Sequence, residues 1–556
     1  MTNEDIQYWL DTLAEKKTAR SQFDNVWQEI RDYMLPNRPS FTSVEVKGKK
    51  TMDKIKDGTA IYALNVCKAG INGMLTNAAL PWHGIETTDH SLNSEPAMRE
   101  ALQEVNDIMP VEYHNSNFYT NIDGIYEEVI GFGQSGLFIG EGKSTALNFI
   151  PVALRDCYID TNSEGKVDTL LRVQRMTARQ AEQSFETLTP RMNEILRDRK
   201  TDKEFEVLHV VCPRKDRELD KKGNYKKDNM NKAFASFYIA TEEKKVLEEG
   251  GYDEFPYAVP RLFAMSGDEY GRGLGWNALP DTKMLNTMET TGIRAWQKAT
   301  DPPVVLPDEG FSLPVRVGPG GVNYNSNWDK PGSEARSLYG AGSFQQLPSF
   351  EQKCEQKRAQ IREFFFYKQF STQQEGQPRT ASEIIQIASE NLKILGPLLN
   401  RFMEELLKPV IIRSFWILYR AGKFPKLRTL VESSQNPIEF KIVYLSPIAK
   451  AQRLYEAQEL QNAFGLIMSV AQIKPELLDN ISGDKFFSVT SELYPAVLKI
   501  AETPADVKKI RKTRAEEALR AQGMQEIGGM LEGAKTASET DPNEGLLGAL
   551  SGNIGL

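Results

Sequence analysis

The sequence predicts an α+β, mainly α protein, and three observations carry that reading. Long stretches toward both ends repeat apolar residues every three or four positions. The region from Phe132 to Phe263 breaks into short apolar runs divided by turn residues, and no fixed-period repeat links the parts. At 556 residues the chain exceeds the roughly 250–300 residues of a single core, so at least three regions are expected.

Ile6, Leu10 and Leu13, then Phe23, Trp27, Ile30 and Tyr33, mark amphipathic helices from Glu4 to Met34, which Pro36 and Pro39 end. Helices are also expected over Ala60–Ala79, closing at Pro81, and over Met98–Met109, stopping at the next proline. GLFIGEG, TALNFIPV, CYIDTNSEGKVDTLLRVQRM, EFEVLHVVC and KAFASFYIA read as strands and hairpins. Thr177–Arg199 is a helical insert among them, and RKDRELDKKGNYKKDNMNK a solvated loop. The helical period returns over Ala278–Thr300. DPPVVLPDEGFSLPVRVGPGGVNYN then makes an irregular module, and Phe350, Cys354, Ile361 and Phe365 mark a helix over Phe350–Phe366. The polar STQQEGQPRTAS precedes helices over Glu383–Tyr419, broken or kinked around Gly396-Pro397 and Pro409. IEFKIVYL reads as a strand and Lys450 to Gln522 as largely helical. The run from Gly523 to Leu556 is too rich in small polar residues to hold one conformation.

With 68 basic against 76 acidic side chains and a net charge of −8, the balance does not advertise tight electrostatic capture of nucleic acid. Cys67, Cys157, Cys212 and Cys354 lack paired spacing and read as reduced thiols. MTNEDIQYWLDTLAEKK is too acidic and polar for a signal peptide. PVIIRSFWILY is about half the ~20 residues of a membrane span and contains Arg413, so it reads as a buried helix.

The chemical motifs fail on inspection. GLFIGEGKS imitates a phosphate-binding loop, but Leu137 stands where G-x-x-x-x-G-K-[ST] requires glycine. A helical pattern precedes it where a strand is needed, so Gly140-Glu141-Gly142 reads as a hairpin turn. DTNSEGKVDTLL has the oxygen-rich spacing of a calcium loop, but Leu171 takes the place of the bidentate carboxylate, and Asn162–Gly165 reads as a hairpin tip. His83, His90, His114 and His209 have no metal-ligand spacing, and His209 in VLHVV is expected half-buried. YGRGLGW is G-x-G-x-G, not a dinucleotide fingerprint, and its glycines are expected to turn the chain into the next helix. The pair Glu127-Glu128 reads as a solvated face. No catalytic, cofactor or metal residues are assigned.

Tyr270–Gly310, YGRGLGWNALPDTKMLNTMETTGIRAWQKATDPPVVLPDEG, resembles the most characteristic stretch of portal proteins, the head-to-tail connectors of short-tailed bacteriophages. DGTAIYALNVCKAGINGMLTNAALPWHGIE, GKVDTLLRVQRMTARQ, RTASEIIQIASENLKILGPLLNRFMEELLKPVIIRSFWILYRAGKFP and VYLSPIAKAQR are similar to further family segments in the same order, over roughly residues 5–520.

The resemblance implies a ring, usually a dodecamer, at one vertex of the virion capsid, through which double-stranded DNA passes during packaging and ejection. It implies a wing (1–270 and 381–447), a stem helix (271–300), a clip (301–348), a returning stem helix (349–367), a tunnel loop (368–380), a helical crown (448–522) and a flexible tail (523–556). Leu285, Met288, Gly292, Trp296, Ile361 and Phe365 would pack the stem, and Asp301, Pro302 and Pro303 would begin the clip. Lys368, Gln373, Gln374 and Arg379 would lie in the DNA-tunnel loop. Implied partners are the terminase large subunit, tail adaptor proteins, scaffold and the major capsid protein, with assembly in the host cytoplasm and no membrane. Two alternatives are a nucleotide-dependent packaging enzyme using Gly142-Lys143-Ser144, and a capsid or tail scaffold without a channel.

Overall fold

The computed structural model describes residues 2–43, 48–89, 92–93, 95–198, 203–218, 226, 228–265, 267–316, 322–332, 334–337, 347–371, 393–433 and 438–445. Nearer the C-terminus it describes 460, 462–469, 482–483, 485–487, 490, 506–517 and 520. The chain divides into a first unit, Met1–Ala451, and a second, Gln452–Leu556.

The first helix, α1 (Asn3–Met34), is a single run of 32 residues where the periodicity suggested more than one. Thr2 caps it, the Thr2 hydroxyl accepting from Asp5 N at 3.3 Å while the Asp5 carboxylate accepts from Thr2 N at 2.7 Å. Arg20 carries the helix through its polar middle. Only 2% exposed, its guanidinium donates to the carbonyls of Leu154, Arg155 and Cys157 at 2.7–3.0 Å and lies 3.9 Å from the Tyr158 ring centroid. The buried carbonyls of that turn thereby find the donors they need.

Three more helices pack with it: α2 (Thr59–Leu75), α3 (Pro96–Asn115) and α4 (Phe118–Gly131). The expected stop at Pro110 does not occur, and α3 runs through it. A proline inside a helix costs about 3 kcal/mol. Downstream packing outweighs that: Tyr113 is fully buried, 5.5 Å from the Trp82 ring and 4.9 Å from Phe118. Strand β1 (His83–Thr87) docks on α3 through Asn106, whose Oδ1 accepts from Ile85 N at 2.7 Å and whose Nδ2 donates to Ile85 O at 3.2 Å.

The central runs form the expected strands. β2 (Gly136–Glu141) and β3 (Leu147–Val152) make an antiparallel hairpin, and β4 (Cys157–Thr161), β5 (Val167–Thr177), β6 (Glu204–Pro213), β7 (Phe234–Ala240) and β8 (Lys245–Tyr252) follow as a five-stranded antiparallel meander. Two short strands come next, β9 (Tyr257–Ala258), which pairs with β2, and β10 (Phe263–Ala264). In β6 the side chains alternate. Phe205 and Val207 pack beneath α5 (Ala178–Ser184) and α6 (Pro190–Arg197), while Leu208 and Val210 face Ile6 and Leu13 of α1. A sheet covered on both faces explains the unbroken apolar run, and it overturns the expectation that His209 is half-buried. His209 is 0% exposed, with Nδ1 2.7 Å from Tyr257 Oη, Nε2 3.0 Å from Ser236 Oγ, and its ring stacked 4.0 Å from Tyr238.

The long helix over 393–420 is not interrupted at Gly396-Pro397. A π turn at Met403–Leu407 passes directly into α10 (Lys408–Arg420), with Pro409 in its first turn, where the missing N–H costs little. The buried Arg413 of α10 donates to Glu254 at 2.6 Å and to Ile139 O at 3.3 Å. After α11 (Pro425–Ser433), β14 (Phe440–Tyr444) returns to pair antiparallel with β1. Cys67, Cys157 and Cys354 are buried thiols, and Cys212 is half-buried. In the second unit, helical residues at 462–469 bring Phe464 within 4.7 Å of Phe486. Among the described residues no helix is long and apolar enough to cross a membrane.

His83 and His209 are fully buried, and loss of hydration depresses each to a pKa of about 3 from 6.5. The unfolded chain therefore binds more protons between these values. Their contribution to stability is complete above pH 6.5 and declines as pH falls toward 3, by about 1.4 kcal/mol per pH unit for each histidine. Urea unfolding between pH 7 and 4.5 should show the loss, and His209→Gln should flatten it by about half. A slope indifferent to that change would exclude His209 as a source.

Candidate functional site at the paired helices

The glycines of YGRGLGW do more than turn the chain. β11 (Gly271–Arg272) leads into α7 (Leu274–Thr300), and the entry is pressed against the end of α4. A Cβ on Gly273 would stand 2.6 Å from the carbonyl oxygens of Ile130 and Gly131, and one on Gly271 would stand 2.5 Å from Gly133 O. Only glycine lets two backbones approach this closely. Gly133 itself has φ +103. The Phe132 carbonyl at this junction accepts from both Trp27 Nε1, at 3.0 Å, and Trp276 Nε1, at 2.8 Å.

From this anchor α7 runs alongside α8 (Leu347–Phe364). Leu285, Cys354, Ile361 and Phe365 of these helices and the turn after them are buried in the main core. Gly292 faces Phe350 of the same chain, where a Cβ would lie 2.9 Å from Phe350 Cε1. Met288 is half-buried against this core. Trp296, toward the tip, is 55% exposed, as is Ile293 at 49%.

Polar contacts fasten the pair to the first unit's helical layer. Asn286 Oδ1 accepts from the backbone N–H of Lys56 at 2.6 Å and of Asp57 at 3.1 Å, and Lys283 pairs with Glu29 at 3.0 Å, while Lys357 of α8 pairs with Asp281 of α7 at 2.9 Å and joins the two helices. Arg358 is the hub. Its guanidinium reaches Asp57 at 2.9 Å, Glu351 at 3.1 Å and Glu355 at 3.2 Å, and also pairs with Glu289. Despite the opposing cost of burial, these carboxylates hold it protonated more firmly than usual. Neither Arg358 nor Asn286 stood out in the sequence. Both look like ordinary polar positions on helices, and their partners lie far away along the chain.

α8 ends at a left-handed Phe366, φ +54, before the short α9 (Tyr367–Phe370). Phe370 packs closely on Gly70 of α2, where a Cβ would run into its ring, and the Tyr367 and Tyr62 ring centroids lie 5.8 Å apart. Lys368 is exposed and pairs with Glu363 at 3.3 Å. Gln373, Gln374 and Arg379, expected with it in a tunnel loop, lie outside the described residues. At the other end Asp301 caps α7, its N–H donating to Gln297 O at 2.8 Å. Pro302 and Pro303 carry the chain into β12 (Val304–Val305), which pairs antiparallel with β13 (Arg336–Ser337). Leu313, Tyr324 and Trp328 in this insertion are 73–80% exposed.

The rejected motifs are accounted for structurally. Gly140 and Glu141 belong to β2, so the turn begins two residues later than expected, at Gly142. Lys143 Nζ donates to Gln183 O at 3.1 Å. Asn162–Gly165 is the β4–β5 tip, with Gly165 N donating to Asn162 O at 2.9 Å. Among the described residues no group of His, Cys, Asp and Glu could hold a metal ion. The expectation that Glu127-Glu128 is a solvated face is wrong for Glu128. It is 5% exposed, accepts from Ser135 Oγ at 2.7 Å, lies 3.1 Å from Arg38, and burial raises its pKa. Glu127 pairs with the same arginine. Two adjacent helix positions normally point apart, but Arg38 is long enough to bridge both.

The described residues thus hold two clamped helices joined by an insertion with exposed aromatic and apolar side chains, and no metal-binding group. The chain belongs to the bacteriophage head to tail connecting protein family, whose sequence profile matches residues 9–494. It is similar to the portal protein of Salmonella phage epsilon15, 27% identical over 544 residues, or 96% of each chain. It is also similar to the probable portal protein of Bordetella phage BPP-1, 26% identical over 537 residues, covering 95% of this chain and 94% of that one. The family expected from the ordered segments is thus the family found, a head-tail connector among the structural proteins of the bacteriophage virion.

Two substitutions test the pairing. Arg358→Ala leaves Asp57 and Glu289 without their shared donor and should cost about 1–3 kcal/mol, read as a lowered unfolding midpoint. Gly292→Ala asks only a small shift of the Phe350 ring, whereas Gly292→Trp must part α7 from α8. Circular dichroism and the thermal midpoint should be near normal for the first and clearly reduced for the second. Equal midpoints would show that the seam at Gly292 is not tightly packed.

Proposed function

We propose that copies of this chain close into a ring, a dodecamer, at one capsid vertex and form the conduit for double-stranded DNA during packaging and ejection. The observation that carries the reading is the α7–α8 pair, in a chain whose family match runs over residues 9–494. The pair is rigidly clamped by Asn286 and Arg358, yet presents Ile293 and Trp296 to solvent at 49% and 55% exposure. Large apolar side chains held in place on a stiff element are suited to cover by a neighbouring copy. Leu285, Gly292, Ile361 and Phe365 pair the helices within each subunit. Met288 and Trp296 lie nearer the contacts between subunits.

In this reading 1–270 with 381–447 form the wing, 271–300 and 349–367 the stem, 301–348 the clip and 448–522 the crown. The clip, beginning at Asp301, Pro302 and Pro303, presents Leu313, Tyr324 and Trp328 to the terminase large subunit and to tail adaptor proteins, while other faces meet scaffold and the major capsid protein. Assembly takes place in the host cytoplasm. Lys368 on α9, together with Gln373, Gln374 and Arg379 in the segment after it, faces the channel. A surface rich in Gln, Ser and Thr offers hydrogen bonds with little fixed charge, so the duplex slides without strong counterion-release attraction.

Images of the purified assembly viewed down its axis should show closed rings with a central opening wide enough for duplex DNA. Solid particles, or a chain that stays monomeric under every condition, would overturn the proposal. The purified chain should also fail to bind ATP, and Lys143→Ala should change nothing in that measurement. Binding that disappears with this substitution would favour the packaging enzyme instead.

A further inference from the structure

Several strand edges of the first unit are closed by side chains. On β1 the Asn106 amide serves both backbone groups of Ile85, and Asn93 does the same for Thr87, accepting from its N–H at 3.0 Å and donating to its carbonyl at 3.1 Å. On β3 Asn117 and Asn121 hold Phe149, and on β4 Arg20 holds the Cys157 carbonyl. Each amide or guanidinium stands in for a neighbouring strand.

β14 has no such cover. Thr88 N donates to Glu439 O and Leu445 N to Trp82 O, so the odd-numbered residues of β14 turn their backbone groups toward β1. The N–H and C=O groups of Phe440, Ile442 and Tyr444 therefore point to the opposite edge, and among the described residues none of them has a partner. No third strand among these residues joins the ribbon. The strand is held from beneath, with the Phe440 ring 5.2 Å from that of Phe415 and Tyr444 Oη donating to Met403 O at 2.9 Å, yet every residue of it is partly exposed.

We propose that this edge pairs with the same edge of a second copy of the chain, β14 against β14, antiparallel about a two-fold axis at Phe440. The strand is its own complement. Ile438-Glu439-Phe440-Lys441-Ile442 reads apolar, acidic, aromatic, basic, apolar, so the pairing sets Phe440 on Phe440, Ile438 on Ile442 and Glu439 on Lys441. In this register the even-numbered residues, whose backbone groups are unpaired, face one another and exchange hydrogen bonds. Glu439 and Lys441 meet at the non-hydrogen-bonded positions, where Cα atoms approach to about 4.5 Å and side chains are nearest. An edge lysine ordinarily discourages pairing, because a second copy brings lysine against lysine. Here that conflict arises only when the strands slip by two residues, which sets Lys441 on Lys441 or Glu439 on Glu439, so charge selects the register.

Lys441 already holds Glu86 at 3.2 Å, while Glu439 is exposed. In the pair Lys441 lies between two carboxylates, and two ribbons merge into one four-stranded sheet, a sturdier unit than a lone hairpin-sized one. A two-fold contact is isologous, whereas the subunits of a ring meet head to tail. The β14 pair is therefore a holding form of chains outside a ring, and it does not rest on the conduit reading.

The test mixes two full-length variants, Glu439→Cys and Lys441→Cys, one carrying a mass tag and both carrying Cys212→Ser to remove the half-buried native thiol. After oxidation the products are separated under denaturing, non-reducing conditions. A Cα separation of about 4.5 Å falls within the range that disulfides span, so the mixture should yield linked pairs with one chain of each variant, and either variant alone about a tenth as much or less. Absence of the mixed pair, or equal yield from a single variant, would overturn the proposal. In sedimentation, Glu439→Lys and Lys441→Glu should each weaken pairing by about tenfold, and mixing the two should recover it. Pairing indifferent to these changes would count against the register and the proposal alike. Amide exchange at Phe440 and Ile442 should slow as concentration rises. Protection at every concentration would show that the chain's own residues cover the edge, and protection confined to closed rings, without the cross-link, would assign it to a neighbour there; either result would sink the two-fold pair.

Discussion

The structure depends on one close approach, where the end of α4 at Gly131–Gly133 meets the start of α7 at Gly271–Gly275. A methyl group on Gly273 would collide with backbone on the opposing segment at 2.6 Å. Two indole N–H groups, from Trp27 and Trp276, converge on the single Phe132 carbonyl within it. That point joins α1, α4 and α7, helices far apart in sequence, and so sets the angle at which the paired helices leave the body. Leucine or valine side chains could fill such a junction only by pushing the helices apart, which would displace the downstream contacts of α7 with α1 and α8.

Electrostatics then fixes what packing brings near. Arg20 closes the turn at Leu154–Cys157 against α1, Arg38 gathers Glu127 and Glu128, Arg413 with Arg420 gathers Glu254, and Arg358 gathers carboxylates from α7, α8 and the turn before α2. In each case the planar guanidinium supplies several donors in fixed directions, which lysine could not do from one nitrogen. The chain uses arginine as a multi-strand fastener in places where its sections must not slide.

The sequence disclosed the elements better than their joints. Apolar periods located α1, α7 and α8, and turn residues located the β2–β3 and β4–β5 hairpins. The failed phosphate loop and failed calcium loop were legible because each lacked one required residue, at Leu137 and Leu171. Pro110 misled, since a local rule about proline yields when Tyr113 gains a fully buried aromatic site. His209 misled because one strand cannot reveal that both faces of its sheet are covered. Glu128 misled because its partner, Arg38, lies on a separate segment that only folding brings close. For the candidate site, spacing put Leu285, Met288 and Trp296 near one face, yet Trp296 is 55% exposed in the subunit, and the partners of Asn286 and Arg358 could not be read at all. Nothing local announces a contact with the turn at Lys56 and Asp57.

The stretch from Asp301 to the start of α8 departs from one secured helix and returns to another. Both are bolted to the body independently, α7 through Asn286 and Lys283, and α8 through Arg358. The two stumps would therefore stay in place whatever joined them, because lengthening a connection whose ends are already fixed costs only a slowly growing entropy. Changes of length or composition between them should therefore leave both helix ends where they are, the joint at either end acting as a fixed socket.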